Sequence, residues 1–192
     1  MTPVILSRQQ LDQLWEIDRS EIIDTLYRLD NGQLRAYREY YDVRGWDPHD
    51  RQVYTPIHEA CYDRGGIFFA FFDDEQMIAA AALDTLPRGM NGELRQLLFF
   101  YVGAGKRGQG WGRRLFQYAL HQLPEMGASG LYISSIPNKN TVDFYLAQGC
   151  RLADKPDPAL FALEPEDIHL VCHRLYRRGA KGDGKREHYP PN

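Results

Sequence analysis

The amino-acid sequence predicts a mixed α/β fold with helices between strands, and three observations carry that reading. Leu94–Val102 is a dense run of apolar and aromatic residues with β propensity. Residues 103–112 then hold five glycines and two cations, after which Leu115, Phe116, Ala119 and Leu120 return at helical spacing on one stripe. A second strand over 131–136 (LYISSI) is followed by a short helix over 138–148 that Gly149 closes.

Residues 3–6 suit a short first strand. Ser7 is an N-cap for a helix over 8–17, with Leu11, Leu14, Trp15 and Ile17 near one face. Residues 22–29 and 33–40 read as a hairpin, because Asn31-Gly32 supplies the positive φ angles of a tight turn. Residues 41–50 are loop-like, with Gly45 and Pro48. Asp50 or Thr55 starts a helix that ends at the paired glycines 65–66. Residues 67–72 and 77–83 are two strands, and the helix after the glycine-rich turn spans 110–123. Residues 150–153 begin a strand that Pro156-Asp157-Pro158 breaks, and 168–176 is the last strand. Residues 177–192 hold five cations, two acids, three glycines and two prolines, and cannot build a core. They are expected to form a mobile, solvated basic tail.

At 192 residues the chain is most simply one domain with a real core. A net charge of −3 gives no global attraction to nucleic acid or an anionic membrane, so neither is expected as a partner. Cys61, Cys150 and Cys172 have no CxxC or metal-ligand spacing; they read as reduced thiols of a cytoplasmic protein, and no metal is expected. No stretch approaches the roughly 20 apolar residues of a membrane span, and the N-terminus becomes charged too early for a signal peptide.

A buried strand, a glycine-rich turn and a helix together make an anion cradle. Glycines allow sharp turning, and the first N–H groups of the helix point at the anion. Lys106 and Arg107 would add charge-assisted contacts. The P-loop pattern fails, because no Gly-Lys-Ser/Thr follows the glycines. Gly103, Gly105 and Gly108 match the letters of a dinucleotide pattern, but Glu125 comes too early for its acidic residue.

Arg107-Gly108-Gln109-Gly110-Trp111-Gly112 instead resembles the Gln/Arg-x-x-Gly-x-Gly/Ala signature of the GCN5-related N-acetyltransferases, the GNAT superfamily. The segment 137–150 resembles a second motif of that family, Asn-x-x-Ala-x-x-hydrophobic-Tyr-x-x-x-Gly-Phe. Asn138, Phe144, Tyr145 and Gly149 match; Thr141 replaces Ala and Cys150 replaces Phe. The resemblance covers about residues 67–176. It implies a mostly antiparallel twisted sheet flanked by helices and splayed between Leu94–Val102 and 131–136. It implies one N-acyltransferase domain over 1–176, with a divergent acceptor-side part (1–66) and a CoA-binding core (67–176).

The resemblance also implies acetyl transfer from acetyl-CoA to an amine by direct attack. Tyr101 and Val102 would meet the pantetheine arm, Val102 through its backbone. Arg107, Gly108, Gln109, Gly110, Trp111 and Gly112 would hold the pyrophosphate. Asn138 would contact the pantetheine or order the helix start. Tyr145 would protonate the leaving thiolate, since a phenol of ordinary pKa near 10 matches a thiol within a unit or two. Backbone N–H groups on Leu94–Val102 would serve the oxyanion.

Two positions depart from the pattern. Gln96 stands where many members carry a Glu that deprotonates the amine. Trp111 replaces a small aliphatic residue, and either covers the loop or packs under the helix. Candidate bases and acceptor contacts are Asp18, Glu21, Asp84, Glu93 and His169. Tyr27, Tyr37, Tyr40, Tyr41, Trp46 and Tyr54 suit a substrate wall, a homodimer surface or core. The expected acceptor is a small amine, such as a cationic metabolite or an aminoglycoside-like antibiotic, with a protein N-terminus or lysine as the alternative. Gln96 motivates a further alternative, a non-catalytic acyl-CoA-binding module.

Overall fold

The computed structural model describes residues 2–173. The expected tail over 177–192, and the end of the strand expected to reach 176, lie outside the described residues. A seven-stranded sheet has the order β1-β4-β5-β6-β7-β9-β8. Its strands are β1 (Val4–Ile5), β4 (Ile67–Asp73), β5 (Gln76–Arg88), β6 (Leu94–Val102), β7 (Gly130–Ser135), β8 (Arg151–Leu152) and β9 (Ile168–His173). The separate hairpin β2 (Glu21–Asp30) and β3 (Gln33–Val43) turns at Asn31 and Gly32, with φ of 49° and 76°.

The strands obey a period of two, and each face of the sheet has its own core. Phe69, Phe71, Ala79, Ala81, Leu83 and Leu97 pack against α2 (Trp111–Gln122) and α3 (Lys139–Ala147). Phe68, Ala70, Ala80, Ala82 and Phe99 pack on the opposite side, against a 3-10 segment Arg8–Glu16 and α1 (Pro48–Asp63). Burying each Phe or Leu contributes on the order of 1.5–3 kcal/mol, so β4 and β5 are fixed from both faces.

Helix starts differ most from expectation. Asp47 is the N-cap of α1, accepting from His49 N–H at 2.7 Å with Pro48 at the first helical position. The start therefore precedes both Asp50 and Thr55. Residues 156–158 end one strand but also begin an unanticipated helix, α4 (Pro158–Leu163). Asp157 caps it through the N–H groups of Ala159 and Leu160. The first helix is 3-10 rather than α, and β5 runs on to Arg88.

One break in the sheet positions the candidate site. β6 and β7 are parallel and pair only at Leu94–Gly130, Arg95–Leu131 and Gln96–Tyr132. Beyond that rung the strands separate, which is the expected splay. On its other side β6 pairs with β5, and the register shifts between Ala82–Phe99 and Leu83–Leu97. Leu98 is the extra residue, and it packs with Phe99 on the α1 face. Such a bulge bends its strand.

Candidate active site

The glycine-rich turn begins as β6 ends. Gly103 N–H donates to Ile78 C=O at 2.9 Å, and a Cβ there would meet that oxygen at 3.3 Å. Gly108 and Gly110 have φ of 74° and 85°, a region L side chains rarely adopt, with open space where a Cβ would stand. Gly110 is the N-cap of α2, and its C=O accepts the first helical bond, from Arg114 at 3.1 Å. The N–H groups of Gly108, Gln109, Gly110, Trp111, Gly112 and Arg113 have no partner among the described residues. Six unpaired donors at a helix N-terminus suit a diphosphate.

The turn's cations have partners within the chain. The Arg107 guanidinium donates to Val102 C=O at 3.1 Å and to Ser20 C=O at 2.9 Å, and lies 3.8 Å from Glu21. Lys106 pairs with Asp73 at 2.6 Å. Both brace the turn from its own side. Gln109 bonds within the turn, donating to Gly105 C=O at 2.9 Å. Trp111 packs under the helix on Phe71, with ring centroids 5.2 Å apart, and the Arg114 guanidinium covers its ring. Gly112 is needed for closeness, since a Cβ would stand 3.3 Å from the Phe144 ring.

The edge of β6 that faces the splay is unpaired beyond Gln96. Gly103 bonds its register partner Ile78, so the alternation of an antiparallel pair makes Tyr101–Ala80 the next bonded pair. Val102 and Phe100 therefore turn their backbone groups to the opening, and Arg107 already occupies the Val102 carbonyl. Tyr101, expected alongside Val102, has its backbone committed to β5. Its ring lies on the α1 face, 4.6 Å from Trp46.

Tyr145 reaches the site from the other face. It is 4% exposed, among Phe100, Phe116 and Phe144, and its hydroxyl makes no hydrogen bond among the described residues. Burial pushes its pKa well above the ordinary phenol value, and the nearby Tyr101 adds to the shift. The hydroxyl therefore stays protonated at neutral pH. Asn138 is the N-cap of α3, with Oδ1 accepting from Asn140 N–H at 3.0 Å, while its Nδ2 is buried without a partner.

On the α1 face, Gln96 is buried and Arg88 donates to its Oε1 at 3.1 Å. Arg88 also pairs with Asp157 at 3.0 Å. The candidate bases do not gather at this point. Burial raises the Asp84 carboxyl, but Arg64 and backbone N–H groups outweigh it and hold its pKa below the ordinary value. Glu93 is bonded to Asn91 N–H at the far end of β6, and Asp18 to Ser20 N–H. Glu21 sits beside Arg107. His169 has its Nδ1 2.8 Å from the hydroxyl of Tyr132, the strand partner of Gln96.

The carboxylate that sequence reasoning missed is Asp167. Burial raises its pKa to about 6, with Glu164 adding to the shift and the Ser134 hydrogen bond opposing it. Ser134 donates to Oδ2 at 2.7 Å. Asp167 precedes β9 by one residue and shares the parity of His169, so strand alternation from that histidine was the available signal. Among the described residues no group of three metal-ligating side chains occurs. No described helix is long and apolar enough to cross a membrane.

A family model for the acetyltransferase (GNAT) family matches residues 24–150. Similar solved structures include a nourseothricin acetyltransferase, at 20% identity over 90% of this chain and 97% of that one, with a TM-score of 0.66. A putative streptothricin acetyltransferase from Bacillus anthracis, in complex with acetyl coenzyme A, is 20% identical over 90% and 99%, with a TM-score of 0.60. The ribosomal-protein-S18-alanine N-acetyltransferase from Escherichia coli is 14% identical over 88% and 90%, with a TM-score of 0.53. No curated protein matches the sequence.

Proposed function

The chain belongs to the acetyltransferase (GNAT) family, and on that premise we propose that it transfers the acetyl group of acetyl-CoA to the primary amine of a small molecule in a ternary complex. The observation that carries the donor half is the row of six unpaired N–H groups over residues 108–113, beside a strand edge whose Val102 N–H is open. Arg107 aligns the two by tying the turn to the Val102 carbonyl. Asn138 Nδ2, a buried donor without a partner, suits an amide oxygen of the pantetheine arm. Acetyl-CoA is the co-substrate, and its thioester supplies the electrophile.

Chain residues perform three tasks in this reading. The β6 edge orients the thioester and presents backbone N–H of Phe100 or Val102 to the developing oxyanion. Tyr145 holds its proton until the C–S bond breaks, and gives it to sulfur as the thiolate forms. Burial keeps the phenol neutral beforehand. The small-molecule acceptor is favoured by the enclosure: the hairpin β2–β3 lies over the β7–α3 connection, with Tyr27 N–H donating to Pro137 C=O at 2.7 Å. Two of the similar structures are likewise named for small-molecule antibiotics.

Gln96 favours a second reading, a non-catalytic acyl-CoA-binding module, because a residue locked to Arg88 takes no proton. Incubating the protein with acetyl-CoA and a panel of amines while following free thiol separates the two. Thiol release with any amine supports the transferase. CoA-induced thermal stabilisation with no release supports the module. Stabilisation by ATP but not CoA sinks both.

A further inference from the structure

A groove of 430 Å³ opens between the β2–β3 hairpin and the α4–β9 segment, with Tyr27, Tyr37, Phe161, Glu166, Asp167 and His169 in its lining. Two groups in it lack partners. The first is a carboxylate oxygen: Ser134 holds Oδ2 of Asp167, and Oδ1 makes no hydrogen bond among the described residues. Ser134 lies in the part of β7 that has parted from β6, so Asp167 stands at the lip of the splay. Burial is the main cause of the raised pKa values of Tyr101 and Tyr54, and the charge of Asp167 adds a smaller part to each.

The second is His169, only 8% exposed. The Asp157 N–H donates to the Tyr132 hydroxyl at 2.6 Å, and the hydroxyl proton goes to His169 Nδ1 at 2.8 Å. With the hydroxyl proton on that bond the imidazole carries its own proton on Nε2, which is buried and has no hydrogen-bond partner among the described residues. Burial keeps the ring neutral, against the opposing pull of Asp157. A buried N–H without an acceptor is costly to leave in place, and a ligand oxygen would satisfy it.

We propose that this groove is the acceptor subsite: Asp167 pairs with the substrate ammonium and takes its proton, and His169 Nε2–H donates to an oxygen of the same molecule. The ligand class is a small primary amine that carries a hydroxyl, ether or carbonyl oxygen near its nitrogen. This rests on the transferase reading for the step that follows. The ammonium gives one proton to Asp167, which passes it to solvent. The neutral nitrogen attacks the thioester carbon, forming C–N as C–S breaks. Sulfur takes the Tyr145 proton, and the nitrogen gives up its second proton, which restores the phenol through solvent. Besides Ser134, the groups around Asp167 are Glu164 and Glu166 of its own loop, Tyr54, Tyr101, His169 and Arg28.

The test uses the full chain with two primary amines, glucosamine and cyclohexylamine, their rates compared per concentration of neutral amine because glucosamine is the weaker base. The Asp167 side-chain carboxyl is followed by ¹³C NMR across pH, without cofactor; thiol release is followed with acetyl-CoA. Glucosamine should lower the Asp167 midpoint and turn over at least about tenfold better than cyclohexylamine, and His169→Phe should erase that preference. Asp167→Asn, which keeps the Ser134 contact, should cut kcat/KM by about 10²–10³-fold and leave CoA affinity unchanged. A carboxyl signal that no amine moves, with turnover intact in Asp167→Asn, overturns the subsite and leaves the transferase standing. A signal moved by glucosamine with no thiol release upholds the amine subsite and sinks the transferase reading.

Discussion

Gln96 is hydrogen-bonded to Arg88 at 3.1 Å on the last rung that joins β6 to β7, where the sheet begins to open. The same guanidinium pairs with Asp157, which caps α4. The side chain nearest the fork is thus part of a bracket between strand and helix. Restoring a carboxylate should not restore a base. In Gln96→Glu, Arg88 would hold the new acid below the ordinary carboxylate range. The acid limb of kcat/KM against pH should stay where it is in the wild type. A new limb near neutral pH would show that Arg88 does not claim this position.

Gly110→Asp should abolish CoA binding, measured by calorimetry. It puts a negative charge and a Cβ into the open space before the free N–H groups. Gly110→Ala separates strain from charge: at φ 85° it should cost about 1–2 kcal/mol of stability and keep measurable affinity. Undiminished binding in Gly110→Asp would reduce the turn to a helix start.

Tyr145→Phe removes a hydroxyl that no described residue bonds, so its thermal stability should stay within about 1 kcal/mol of wild type. Turnover should fall about 10²-fold if the phenol protonates the thiolate, with CoA affinity nearly unchanged. An unaltered rate would return Tyr145 to the core beside Phe116.

Asp167 predicts a pH signature in stability. Its folded pKa, about 6, stands above the ordinary value of 3.8. A raised acid binds its proton more tightly when folded, so the stabilisation is full below pH 4 and is lost as pH climbs through 6. After discounting for partial exposure, the loss is about 1–2 kcal/mol. Asp167→Asn should therefore melt above wild type at pH 7.5, and the difference should shrink at pH 4.5. Equal differences at both values would show that Asp167 is not strained by ionisation.

Much of the donor side was legible in the sequence because it depends on local rules. Positive φ at Gly108 and Gly110, the apolar stripe of α2 and the Asn138 cap are consequences of neighbours a few residues apart. The partners of Lys106 and Arg107 were not legible for the opposite reason. Two cations beside glycines suggested an anion, but their partners are Asp73, Ser20 and Glu21, far off in the chain. The helix at Pro158 was missed because a proline that ends a strand serves equally well as the first residue of a helix, and only the Asp157 cap decides.

The sequence by itself determined the class of fold and the strand–turn–helix, since period and glycine placement act over short range. Its resemblance to the family implied the two elements between which the sheet opens. It also exposed the missing acid at Gln96. Only the tertiary structure decided where that function could move. Asp167 lies 71 positions after Gln96 in the chain, and comes to the opening because β9 pairs with β7. Its raised pKa and the unpaired His169 Nε2 follow from burial, a property that chain packing confers and that neither residue carries alone.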